Sequence, residues 1–306
     1  MFSTLIIAYL FLGGIGAGSL MILSIFELFD TTRNKRQCAA HQSERLSKDL
    51  YVRCWPLCTC SLLSGAICLL FDIGRVDRIF NLLIYPEATA LSVGTYGLFF
   101  AILCAVIFTL KSMLDSFVLP LRLSQLLSVA GIVSGAVTAV YASVLMRNII
   151  VVPFWDNILL PVLFFLSSIS TGMASIFLGI SFGNTRKPKF GLIKKLVRFD
   201  MTIIVLEILC LTLYLAITYK NPATESTAQM FLTGDMYLIF WVGLVACGLV
   251  LPLILEGCIS KNNNLWLIQW ISLFVLIGGL ILRVAIVEAS LFAQSQLPFL
   301  ALHITM

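Results

Sequence analysis

The sequence predicts an all-α fold: a polytopic membrane bundle of about eight transmembrane helices, with both termini extracytoplasmic. Three observations lead there. Of the 306 residues 60% are hydrophobic and 11% charged, at a mean hydropathy of +1.03, whereas soluble domains are nearer a quarter charged. The apolar residues gather in runs of about 20, the length a helix needs to cross hydrocarbon. The loops between the runs alternate in charge. Fifteen of the 20 Lys and Arg fall in one set of loops, among them Arg33, Lys35, Lys111, Lys194 and Arg198, while Arg75, Arg78, Arg147 and Lys220 make up the other. Basic residues mark the cytoplasmic side. The loops around 30–53 and 182–200 are therefore expected in the cytoplasm, and the net charge of +5 reports topology, not nucleic acid. Residues 1–306 read as a single integral membrane domain whose first partner is the lipid bilayer.

Span one, 4–29, lacks the basic start of a cleavable signal and runs too long for one. Within it Gly14 and Gly18 stand four apart, with Gly13 and Ala17 beside them. Side chains this small let a second helix approach closely. Span two, 54–72, carries Ser61, Gly65, Cys68 and Asp72 at helical spacing, a small polar strip ending in a carboxylate. The charges that follow, Arg75, Asp77 and Arg78, form either an interfacial salt-bridge cluster or part of a site. Val76 to Ile84 is expected as a short helix on the outer surface. Spans three (90–110), four (121–146) and five (157–181) follow. The small polar residues of spans four and five, such as Ser128, Gly135, Ser168 and Thr171, read first as packing faces and second as a wetted proton path.

Arg186 to Phe199 alternates basic and apolar residues and is expected to lie on anionic lipid. Span six, 201–220, holds Glu207 well inside, where an ionised carboxylate costs at least about 2.5 kcal/mol unless partnered. Glu207 is either a step in proton movement from the cytoplasm or a hydrogen-bonded acid locking two helices. Span seven, 235–256, has Pro252 as its kink candidate. Glu27 and Glu256 sit near cytoplasmic ends, where they can snorkel, and Glu27 is also a candidate for proton transfer or an ion pair. Span eight, 265–290, places Arg283 toward the outer half, at a depth where Asp72 can pair with it.

The nine cysteines include Cys54, Cys58 and Cys60 but no metal-ligand spacing, and buried free cysteine is usually an apolar filler. His41 and His303 both lie outside the spans, so a transmembrane bis-histidine haem lacks ligands. The chain is expected to bind no metal and no haem.

The run Tyr9-Leu10-Phe11-Leu12-Gly13-Gly14 followed by Ala17-Gly18, and then Phe71-Asp72-Ile73-Gly74-Arg75, resembles the NrfD/PsrC family of polysulfide-reductase-type membrane subunits. Pro153 with Trp155, Ser170-Thr171-Gly172 and Leu282-Arg283-Val284 extend the resemblance over most of the chain. Val76 stands where the family usually has proline. The resemblance implies an eight-helix subunit in a bacterial cytoplasmic (inner) membrane, binding menaquinone or ubiquinone near its outer face. It also implies a ferredoxin-like iron–sulfur subunit and a molybdopterin catalytic subunit docked on the extracytoplasmic side. In relatives a tyrosine of span four contacts the quinone. Its counterpart here is Tyr141, on one face with Ser134 and Thr138. Ser3 and Thr4 stand where relatives carry histidine and asparagine.

A quinone site needs an apolar slot, hydrogen-bond partners for two carbonyls and a group that moves protons. Tyr141 can donate and accept, and Asp72 can titrate. Tyr141 is equally readable as an interfacial anchor level with Trp155 and Tyr85. Two other functions stay open: an anchor without quinone chemistry, and a secondary transporter, whose site would lie at broken helices in related halves.

Overall fold

Hydrocarbon obliges each backbone polar group to find its partner within its own segment, and the chain answers with helices. The structure, a computed structural model, describes residues 4–34, 48–74, 90–114, 119–147, 152–182, 190–222, 224–234, 236–261 and 265–304. Its helices are α1 (Thr4–Asn34), α2 (Lys48–Ile73), α3 (Ala90–Met113), α4 (Leu121–Arg147), α5 (Leu159–Ser181) and α6 (Phe190–Lys220). They continue with the short α7 (Glu225–Leu232), then α8 (Leu251–Lys261) and α9 (Leu265–Ile304). A π-helical run, Ile239–Val250, leads directly into α8 and completes span seven. Among the described residues eight spans are long and apolar enough to cross a membrane, as the sequence predicts.

The first span is the hub. Around α1 pack α2, α4 and α5, and α5 reaches onward to α6 and α9. Two glycines make the tightest of these contacts possible. A Cβ on Gly18 would run into the Ser168 carbonyl, and one on Gly172 into the backbone of Gly18 and Ser19. Without side chains the α1 and α5 backbones touch, which is how dispersion substitutes for a hydrophobic force between helices in lipid. Gly131 and Gly135 of α4 close on Ser24 and Met21 of α1 in the same way.

At the basic end of the bundle the Lys111 ammonium of α3 is paired with the Glu27 carboxylate of α1. Lys111 also donates to Ser124 Oγ of α4 at 3.1 Å, and the Tyr51 hydroxyl of α2 donates to Asp30 Oδ2 at 2.9 Å. Glu27 therefore does not snorkel. It ties α1 to α3.

Four expectations need correcting. Of the stretch before span six, residues 186–189 lie outside the described residues, and from Phe190 it is already α6, with Ile193, Leu196 and Val197 buried in the core and Lys195 and Arg198 exposed, so this part does not lay its apolar face on lipid. Its apolar stripe faces the bundle. Glu256 does not reach the interface either, being 0% exposed. Trp155 is not an interfacial anchor. Its indole is fully buried and donates Nε1–H to the Ile286 carbonyl at 3.0 Å. Finally, α2 begins at Lys48, so Pro56 lies inside it. In span seven the π-helical run ends two residues before Pro252, in the turn that a proline disturbs. Arg75, the segment Val76–Ile84 and Tyr85 lie outside the described residues.

Candidate functional site

Away from the basic end, a narrow crevice opens between the first turns of α1 and α5 and the last turns of α4. Tyr9, Leu10, Gly13 and Gly14 form one wall, Thr138, Ala139 and Ala142 a second, and Phe164 with Ser168 the third. Its interior has room for no more than about one water molecule, so a flat ring enters only by displacing side chains. Apolar groups dominate the walls. The polar groups present are few and convergent, the usual composition of a small-ligand site.

Tyr9 leads the polar set. Its ring lies 6.4 Å from that of Tyr141, tilted by 53°. Tyr141 is seated on Gly94 of α3, where any Cβ would collide with its ring. Both tyrosines are buried, at 5% and 7% exposure, and neither hydroxyl has a hydrogen-bond partner among the described residues. A buried phenol normally finds one. Tyr9 lines the crevice and Tyr141 stands behind it, each with a hydroxyl that no described residue engages.

Behind Gly14 sits Arg283, 1% exposed. A guanidinium in hydrocarbon survives only where its donors are taken up. Arg283 Nε donates to the Leu10 carbonyl at 2.9 Å, Nη1 to the Gly279 carbonyl at 2.7 Å and to Ser167 Oγ at 3.2 Å, and Nη2 to Ser168 Oγ at 3.4 Å. The rings of Phe11 and Phe164 stand 6.0 and 5.8 Å from its Cζ and add cation–π attraction. Gly14 is required here for a reason other than helix packing: a Cβ would occupy the space of the guanidinium. Glu207 of α6 lies on the far side of Ser167, close enough for its charge to act on Arg283. Ser167 thus stands between the cation and the carboxyl.

The expected pairing of Asp72 with Arg283 does not occur. Arg283 turns toward the bundle axis, while Asp72 is half-exposed at the end of α2 and does not line the crevice. Thr138 lines it, with its hydroxyl donating to the Ser134 carbonyl at 2.8 Å. Ser134 lies a turn deeper and donates to the Gly131 carbonyl at 3.4 Å. Tyr141 stands one ring back, behind Tyr9. Glu207 and Arg283 come together as a unit. Sequence spacing did not single out Tyr9 or Ser167 as a site residue, and it read Ser168 as part of a packing face or proton path. Tyr9 was legible only as part of a motif, because nothing in the spacing says that its hydroxyl is left without a partner.

The family described as "Polysulphide reductase, NrfD" matches residues 1–294. The protein is similar to the C chain of polysulfide reductase from Wolinella succinogenes, 25% identical over 305 residues that cover 93% of this sequence and 92% of the relative. It is 26% identical over 305 residues to the protein NrfD homolog of Haemophilus influenzae, covering 92% and 91% of the two sequences. The C subunit of selenate reductase from Mesobacillus selenatarsenatis is 23% identical over 322 residues, covering 91% of this sequence and 71% of the relative.

Proposed function

We propose, since the chain belongs to the NrfD polysulphide reductase family, that it is the quinone-reactive membrane anchor of a respiratory oxidoreductase complex. It is a multi-pass integral membrane protein, and its placement in a bacterial cytoplasmic (inner) membrane with both termini extracytoplasmic belongs to the proposal. The relatives are named as parts of polysulfide and selenate reductases. By the same logic this protein exchanges electrons with a ferredoxin-like iron–sulfur subunit, which serves a molybdopterin catalytic subunit on the extracytoplasmic side.

The observation that carries the reading is the crevice lined by the Tyr9 phenol, whose hydroxyl no described residue engages, with a buried cation behind. These residues fit a quinone head. Gly13 and Gly14 leave the wall flat beside Tyr9, Phe164 and Ala139 supply apolar faces, and the Tyr9 hydroxyl can donate to a ring carbonyl, with the Tyr141 ring behind it. A bound menaquinone or ubiquinone supplies two-electron, two-proton chemistry. The protein's own residues provide the rest. Arg283 keeps a fixed positive charge behind Gly14, where it favours negative charge in the crevice. Glu207, reached through Ser167, is the group placed to hold a proton.

The test is purification of the protein with its co-expressed partners, followed by quinone extraction and photolabelling with an azidoquinone. Label on the α1 segment around Tyr9 and on α4 around Thr138 supports the reading. A preparation that retains iron–sulfur protein yet neither contains nor binds quinone leaves a purely structural anchor, and one with no companion subunit leaves a transporter.

A further inference from the structure

Toward the basic end, three buried polar side chains from three spans converge apart from the crevice. Asp200 of α6 and Glu256 of α8 are each 0% exposed, and Ser170 of α5 is 2% exposed. They lie within reach of one another. Yet neither the four carboxyl oxygens nor Ser170 Oγ has a hydrogen-bond partner. We infer that Asp200 and Glu256 form a one-proton binding site, with the two carboxyls sharing a single proton against the Ser170 hydroxyl.

The chemistry leaves few alternatives. Ionised carboxylates only accept hydrogen bonds, so two of them face to face present four acceptors and no donor. Ser170 can supply one hydrogen. Two uncompensated anions in hydrocarbon are among the most costly arrangements a bundle can hold. Among the described residues no positive charge offsets them. On α6 itself Lys195 and Arg198 are exposed, Lys194 is half-exposed, and Glu207 lies two turns further on. The span α5 carries no charged residue, span seven contributes Glu256, and on α9 Arg283 acts on Glu207. Among the described residues no Lys or Arg forms an ion pair with Asp200 or Glu256.

One proton resolves the arrangement. It converts one carboxyl into a donor and the other into its acceptor, so that the pair binds as a unit. A divalent cation fits poorly, because calcium and magnesium take six or more oxygens and helix carbonyls are engaged in their own hydrogen bonds. Seven residues separate Asp200 from Glu207 on one helix face, about 10 Å along the axis. The bound proton therefore sits on the basic side of Glu207, Ser167 and Arg283. Only this destination rests on the quinone reading; proton binding by the pair does not.

The experiment is infrared spectroscopy of the full-length protein, purified in detergent without added quinone, near neutral pH in H2O and D2O. Expected is a carbonyl band from one protonated carboxylic acid that shifts in D2O, is missing from the Asp200→Asn/Glu256→Gln double variant, and is unaffected by sodium. The single variants Asp200→Asn and Glu256→Gln, each nearly isosteric, provide the comparison should the double variant not fold. A wild-type spectrum whose acid bands survive unchanged in these variants overturns the proposal, as does a band that sodium removes. Loss of quinone binding elsewhere leaves the band in place, so the two readings fail separately.

Discussion

Replacing Tyr9 by Phe removes one oxygen and little else, which makes it the sharpest probe of the crevice. The ring remains, with its packing against Tyr141 at a centroid distance of 6.4 Å, and the lost hydroxyl has no partner among the described residues. Stability of the ligand-free protein should therefore change by no more than about 0.5 kcal/mol, as for substitutions that break no contact. Quinone binding loses one hydrogen bond between neutral groups, worth about 0.5–1.5 kcal/mol. At about 1.4 kcal/mol per decade that raises Kd roughly 2- to 12-fold. Thermal unfolding in detergent measures the first quantity, and titration with a fluorescent quinone analogue the second. A ligand-free protein destabilised by more than about 1 kcal/mol would mean that the hydroxyl has a structural partner. Unchanged affinity would mean that the ligand carbonyl lies elsewhere. Either result refutes the reasoning.

Other expectations follow from the same geometry. Gly18→Ala puts a methyl into the Ser168 carbonyl and should cost about 1–3 kcal/mol by overpacking, visible as a lower unfolding temperature. Arg283→Lys keeps the charge but not the fork; losing at least one charge-assisted bond should cost about 1.5–3 kcal/mol and weaken quinone binding. Asp72→Asn combined with Arg283→Lys should show a coupling below about 0.5 kcal/mol in a double-mutant cycle, since the two side chains do not meet. Lys111→Met leaves Glu27 unpaired. Breaking a fully buried pair costs about 3–5 kcal/mol, and with Lys111 28% exposed the lower end is expected. Adding Glu27→Gln should restore most of that loss.

The span positions were legible because burial in hydrocarbon demands long apolar runs, and length alone locates them. Azimuth was not. Depth put Asp72 level with Arg283, but the direction in which each side chain leaves its helix depends on neighbours that a single segment does not reveal. The start of α6 was missed for a related reason. Lys194, Lys195 and Arg198 look like the end of a membrane span, yet they lie beside a stripe of Ile193, Leu196 and Val197 that packs inward. That same basic neighbourhood hid Asp200, the most buried carboxyl of the stretch, behind the appearance of a surface loop. Gly14 and Gly18 were recognised as small residues facing a partner. What fills the space differs between them, a guanidinium at one and a backbone at the other, and spacing is blind to that difference.

The contacts of Gly18 with Gly172, and of Gly135 with Met21, act as rivets one to two turns below Gly14, Ser168 and Thr138 at the crevice floor. Helices fastened so near the crevice floor cannot part to admit a bulky guest. Any widening falls to the rotamers of the two aromatic rings at the rim. The thickness of what enters is thereby limited to that of a planar ring, and an inhibitor with branched substituents on its head should be turned away at the mouth.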